Sequence, residues 1–178
     1  MSTFDFWPHL SQGWHRRGRQ RAVPTPGQNR KLAVCAALRY GSGRLLWRMQ
    51  PDRRVQGMCE LVQRLLHRAR HTGRKVVLVL DRGSPNHAKQ LHRLLASARP
   101  WIEVFWLPAY CWELNLIERL WKHLKASRLA NVLFASYRQF RRHVHRVLEA
   151  FASHSDLILD VVTRRATRSD RKELLRHT

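Results

Sequence analysis

Apolar residues at Val55, Met58, Cys59, Val62, Leu65 and Leu66 recur in steps of three and four. That is the period of one helical face, and it predicts an amphipathic helix over residues 55–71. The run Val76-Val-Leu-Val-Leu80 is uninterrupted and β-branched, which fits a strand covered on both faces. Residues 102–107 (IEVFWL) predict another strand. Between the two, Ser84-Pro85 predicts a helix running to about residue 98, with Ser as N-cap and Pro at its first position. Asn115 opens a further helix with Leu116, Ile117, Leu120, Trp121 and Leu124 on its apolar side, and residues 137–151 form a last amphipathic helix with a basic outer face. Upstream, residues 32–39 (LAVCAALR) and 45–49 (LLWRM) flank a Gly-Ser-Gly turn and read as a hairpin. Residues 1–30 are broken by proline and glycine and hold at most one short strand. From residue 153 the chain turns Arg-rich and less periodic. The order is hairpin, helix, strand, helix, strand, helix, helix, which predicts an α/β fold with a partly parallel sheet.

Composition narrows the class of partner. The 178 residues carry 34 Lys+Arg against 12 Asp+Glu, a formal charge of +22, with arginine dominating the basic set. A surplus of this size points to a polyanion, with nucleic acid as the first choice. No apolar run reaches the roughly 18–20 residues of a membrane helix, and the first ten residues lack a signal-peptide pattern. The three cysteines (35, 59 and 111) show no CxxC spacing, so neither a disulfide framework nor a zinc ribbon is indicated. These features predict a cytoplasmic, nucleoid-associated protein with no membrane partner. Trp7, Trp47, Trp101, Trp106 and Trp121 read as core residues because those on regular segments sit among other apolar residues.

Two carboxylates stand out. Asp81 directly follows the apolar strand, and in open α/β sheets reactive groups gather beyond the carboxyl ends of strands. Glu118 lies in the first turn of the helix after the next strand, so the chain returns it towards Asp81. Two converging carboxylates suit Mg²⁺, which leaves its other positions to water and phosphate. Structural readings also fit. Asp after a strand commonly serves a turn, Asn115-Leu-Ile-Glu118 matches a capping box, and Glu118 with Lys122 forms an i,i+4 pair.

Longer motifs bear on that choice. The segment Val76-Val-Leu-Val-Leu-Asp81-Arg-Gly-Ser-Pro-Asn-His87 is followed by Leu107-Pro-Ala-Tyr110-Cys-Trp-Glu-Leu114-Asn115-Leu-Ile-Glu118-Arg-Leu-Trp121-Lys-His-Leu-Lys125. Together they resemble the DDE transposases of bacterial insertion sequences related to mariner. That family has a strand ending in Asp-Asn-x-x-x-His, then Leu-Pro-x-Tyr-Ser-Pro-Asp-Leu-Asn-Pro-Ile-Glu-x-x-Trp-x-x-Leu-Lys. Trp14-His-Arg-Arg-Gly18, Pro24-Thr-Pro-Gly27 and the Gly43-Arg44 hairpin resemble the segment after the family's first Asp, so the resemblance covers nearly residues 4–150.

The resemblance implies a ribonuclease H-like mixed sheet flanked by helices. It implies a partial DDE catalytic domain over 1–152 and a basic tail over 153–178. Asp81 and Glu118 match the second and third catalytic carboxylates, and the complete domain would hold two Mg²⁺ (or Mn²⁺) ions. Asn115 is available as helix cap and as positioner of Glu118. His87 sits one residue beyond the family's histidine and is equally an exposed or capping imidazole. The activity implied is metal-dependent DNA strand cleavage and strand transfer in transposition of an insertion sequence.

The departures are as informative. Arg82 stands where the family has Asn, and three prolines of the family loop are absent. The family's first Asp would fall at or just before Met1, so the first strand and its carboxylate are expected to be missing. Asp5, the only acid in the first 51 residues, is off-register for that ligand and otherwise reads as a turn residue. A sheet without its central strand leaves unpaired edges, which invites self-association or pairing with the missing amino-terminal part. The alternative function is a non-catalytic DNA-binding remnant of a transposase. Arg16, Arg17, Arg138, Arg141, Arg142 and Arg146 are the candidate nucleic-acid contacts, the last four near one face of their helix. The third choice, an unrelated basic RNA-binding protein, would show a stacking motif that is absent here.

Overall fold

In the computed structural model, residues 1–8, 17 and 27–163 are described. Ten regular elements follow one another there. They are β1 (Ser2–Asp5), β2 (Lys31–Leu38), β3 (Leu45–Gln50), α1 (Gln56–Thr72), β4 (Val76–Leu80), α2 (Lys89–Ser97), β5 (Ile102–Trp106), α3 (Leu116–Leu124), α4 (Tyr137–Ser153) and α5 (Ser155–Thr163). The strands form two sheets. One is antiparallel in the order β1-β2-β3, and the other is the parallel pair β4-β5.

β2 joins two cores. Its even positions Leu32 and Val34 lie in a cluster with Phe4, Trp121, Phe140, Leu148 and Ile158, which packs β1 and β2 against α3, α4 and α5. Its Cys35 lies in a second cluster with Met58, Val62, Leu91 and Ile102, formed by α1, α2 and β5. A strand buried on both faces needs a continuous apolar run, and Leu-Ala-Val-Cys-Ala-Ala supplies it. Within the first cluster Phe4 meets the Trp121 ring edge-on, with centroids 5.8 Å apart.

α1 ends because Gly73 takes the left-handed conformation (φ 64°) and its N–H closes on the Ala69 and Arg70 carbonyls. The hairpin turn is equally specific. Gly43 has φ 63°, and a Cβ there would land on the Ser155 carbonyl at the start of α5.

Several expectations are corrected. The parallel pair is covered on one face only. Val77 (64% exposed), Val79 (46%) and Phe105 (59%) form an open apolar face, so the apolar run of β4 marks one buried face and one uncovered face. The helix expected from Ser84 is broken. Residues Ser84–His87 make a 3₁₀ turn, Ala88 is extended (ψ 130°), and α2 starts at Lys89. The tail does not begin at Ser153, because α5 packs on α3 and buries Ile158 and Val162. Its two apolar positions four residues apart are enough to dock a short helix on an existing core. Residues 164–178 lie outside the described residues. Among the tryptophans, Trp121 is buried and Trp47, Trp101 and Trp106 pack partly against the cores, whereas Trp7 is exposed.

Candidate functional site

Asp81 is presented by the end of β4, where the sheet stops and its carboxylate meets a set of donors. Gly83 N–H donates to Oδ1 at 2.9 Å, the turn expected of an Asp after a strand. The Asn86 amide donates to the same oxygen at 3.0 Å and to the Asp81 main-chain carbonyl at 2.9 Å. The Asn115 amide reaches across from the start of α3 to Oδ2 at 3.2 Å. Both carboxylate oxygens are thus held from two directions, by the turn after β4 and by the helix after β5.

Glu118 sits one turn into α3, half-buried above the same place. Its carboxyl is pushed above the ordinary carboxylate range. Burial is the main cause, the Met1 amino group counters it, the Asp81 charge adds to it, and Lys125 counters it in turn. Lys125 is itself held below the ordinary lysine range by burial, against the pull of Glu118 and Asp5. It sits 5.4 Å from the centroid of the Phe4 ring. Asp81 and Glu118 are therefore brought into electrostatic contact, and two like charges in a half-buried site are relieved by a cation. The donor set, two carboxylates with hard oxygen atoms, fits a divalent ion of the Mg²⁺ or Mn²⁺ type. It is incomplete as a cage, since no group of three His, Cys, Asp or Glu side chains able to hold a metal occurs among the described residues.

The other predicted residues divide. Asn115 stands at the N-cap position of α3 yet makes no side-chain cap. Its side-chain amide goes to Asp81, so it orients Asp81 rather than capping the helix or reaching Glu118, the two roles expected of it. His87 is not drawn to the carboxylates. Its Nε2 pairs with the Arg82 carbonyl at 3.0 Å, and its ring stacks 6.5 Å from that of Trp106. Asp5 accepts a long bond (3.5 Å) from Asn29 at the far end of β1. Arg138, Arg141, Arg142 and Arg146 are all exposed on α4, whose buried side carries Phe140, Val144, Leu148 and Phe151. Arg141 lies at the flank and lines a groove of about 430 Å³ with Arg48, Arg64, Trp47 and His145. Arg17 is exposed, and Arg16 lies outside the described residues.

Asn86 carries a role that its sequence neighbours do not announce. It is 5% exposed and holds Asp81 at two points, and its Oδ1 has no partner among the described residues. A signal for it exists in the chain. The family spacing places its histidine five residues after the second Asp, and position 86 is the residue standing there.

The mixed α/β core has the ribonuclease H-like fold, with Asp81 at the end of a parallel strand. The chain belongs to the DDE superfamily endonuclease family, whose model matches residues 2–141. It is 27% identical over 142 residues to a 39 kDa uncharacterized protein of insertion element IS630 from Shigella sonnei, covering 80% of this chain and 41% of that protein. Its fold resembles the Mos1 mariner paired-end complex with Mn, at TM-score 0.61 and 15% identity over 91% of this chain and 52% of the other. It also resembles the Mos1 transposase paired-end complex with the left transposon end, at TM-score 0.56 and 13% identity over 92% and 54%. The chain spans about two fifths of the curated relative and about half of the mariner chains.

Proposed function

We propose that this chain is the central part of a transposase catalytic domain. It would cut DNA strands at the ends of an insertion sequence and join the 3′-ends to target DNA, using Mg²⁺ or Mn²⁺. The observation that carries this reading is the meeting of Asp81 and Glu118, from separate elements, on a scaffold of amide donors. In each step an oxygen nucleophile, from water or a 3′-hydroxyl, bonds to phosphorus while the bond to the departing 3′-oxygen breaks. A bound divalent ion pair would supply Lewis-acid stabilisation of the attacking and leaving oxygens. Asn86, Asn115 and Gly83 keep the Asp81 carboxylate fixed, so little reorganisation remains when it takes up its ligand role. The exposed arginines of α4 would hold the phosphate backbone without reading sequence. The compartment that suits this reading is the cytoplasm, at the nucleoid, and self-association would bring two element ends together.

The test is Mg²⁺-dependent nicking of DNA carrying the element ends, by this chain and by a chain extended upstream to the matching Asp. Activity of the extended chain that is lost in Asp81→Asn and Glu118→Gln supports the reading, and equal activity in those variants overturns it. A second reading, a DNA-binding remnant without catalysis, is favoured by the incomplete ligand set among the described residues. It predicts salt-sensitive DNA binding and no cleavage from either chain.

A further inference from the structure

β3 (Leu45–Gln50) is the outer strand of the antiparallel sheet, with β2 on one side and no strand on the other among the described residues. Two helices stand over that edge, because α1 and α4 each pack against β3. The side chains of β3 alternate between them. Leu45, Trp47 and Met49 turn to the core shared with α4. Leu46 turns to the core shared with α1, and Arg48 pairs with Glu60 of α1. The recess left along the edge holds about 430 Å³, with Arg64 of α1 on one wall and Arg141 of α4 on the other.

Both walls are cationic. Arg48 is held by Glu60 at 2.7 Å and His145 by Glu149 at 3.1 Å. Arg64 and Arg141 are exposed and have no acidic partner among the described residues. These guanidiniums flank a strand edge that presents N–H and C=O groups in alternation, and an occupant must answer both. Phosphate oxygens of a nucleic acid accept from arginine and from N–H but donate nothing to the carbonyls. An extended peptide answers the whole edge by adding a strand, and its carboxylates meet the guanidinium forks in parallel hydrogen bonds. Trp47, which lines the same groove, is met edge-on by the His145 ring with centroids 5.1 Å apart, so it is already engaged by the protein and not held open for a base. A second copy of this chain is disfavoured by charge. Edge-to-edge pairing would set Arg48, Arg64 and Arg141 of one copy against the same residues of the other.

We propose that the β3 edge is a docking groove for an acidic extended segment of another protein, added as a fourth strand to the antiparallel sheet. The segment spans about six residues, the length of β3. Its successive side chains point to opposite faces, so carboxylates at neighbouring positions reach Arg64 on the α1 side and Arg141 on the α4 side. The groove shares no residue with the Asp81–Glu118 pair, so this proposal stands or falls independently of DNA cleavage.

The test uses the 178-residue chain and two synthetic peptides of equal charge. One is acetyl-Glu-Val-Asp-Glu-Val-Glu-amide, and the other has both valines replaced by proline. One proline falls on each edge of the extended peptide and removes a ladder donor there. At saturation the valine peptide is expected to slow amide exchange at alternate residues of 45–50 by about threefold or more, and the proline peptide to bind about tenfold more weakly or not at all. Arg64→Glu together with Arg141→Glu is expected to weaken binding of the valine peptide by about tenfold or more, and the matching Gln pair by less. Both arginines are exposed, so the variants keep the parent's fold, and the Gln pair supplies the comparison if charge reversal alone disturbs it. No binding, equal binding of the two peptides, binding that leaves exchange across 45–50 unchanged, or undiminished binding to the variants overturns the proposal. So does an oligothymidylate of the same charge that protects 45–50 as well as the valine peptide does, which would make the edge a nucleic-acid groove.

Discussion

Asn115 gives its side-chain amide to Asp81 Oδ2 at 3.2 Å, across 34 positions of chain, although it stands where a helix would ordinarily use it as a cap. The link ties the loop after β4 to the first turn of α3. Asn115→Ala therefore removes a bond to a charged carboxylate and no helix cap, and is expected to cost about 1–3 kcal/mol while releasing Asp81. Asn115→Asp sets a like charge against Asp81 in place of the amide donor, and should be the less stable of the two. Urea unfolding of both variants, with nicking by the extended chain, checks the order.

Asp81 and Glu118 are expected to respond oppositely to removal of charge. Asp81→Asn turns an acceptor of three amide donors into a group that must donate in part. Its cost is about 1–3 kcal/mol. Glu118 is a carboxylate whose charged form is disfavoured by burial and by Asp81, so Glu118→Gln should leave stability unchanged or raise it. Thermal melting at neutral pH decides. A fall in stability of Glu118→Gln equal to that of Asp81→Asn would contradict the electrostatic account.

The basic face of α4 predicts a salt dependence. Replacing Arg138, Arg142 and Arg146 together by Ala should weaken DNA binding and lower the slope of log K against log salt by about 0.9 for each phosphate that is no longer neutralised. The core side of α4 is untouched, so folding should persist. Fluorescence anisotropy between low and moderate salt measures both quantities.

Gly41 and Gly43 separate strain from collision. Both have positive φ, 79° and 63°, but a Cβ at Gly41 meets nothing, whereas one at Gly43 meets the Ser155 backbone. Gly41→Ala should cost about 1–2 kcal/mol, the left-handed penalty for a residue with a Cβ. Gly43→Ala should cost more, because α5 must shift as well. Denaturant midpoints of the two variants give the comparison.

The cysteines predict an alkaline limit. Burial pushes the Cys35 thiol up from 9.0 to about 11, against the pull of the Met1 amino group. The folded state keeps the proton that the unfolded chain gives up. This contribution is whole below pH 9 and is lost as pH rises towards 11. Stability should fall over that window, and less steeply in Cys35→Ala. At pH 8 iodoacetamide should modify the half-exposed Cys111 before the buried Cys35 and Cys59.

The elements were legible in the residues because each carries its own period. The threefold and fourfold steps of residues 55–66, the β-branched run 76–80 and the apolar side of 116–124 need no distant partner to be read. So were Asp81 and Glu118, because a strand end and a helix start are local features and the motif around them is specific. Residues at the site were less legible where two roles share one position. Asn115 reads as a cap from its neighbours, and only the approach of β4 redirects its amide. Asn86 falls inside the helix expected from Ser84, and its role shows only once its burial against Asp81 is seen, while His87 beside it turns away onto Trp106.

Chain order and period by themselves determined the α/β class, because the elements depend on residues close in sequence. Tertiary packing alone decided that α5 belongs to the core and that the outer face of β4 stays open. Those outcomes depend on which surfaces meet, and a one-dimensional pattern records only that a surface is apolar.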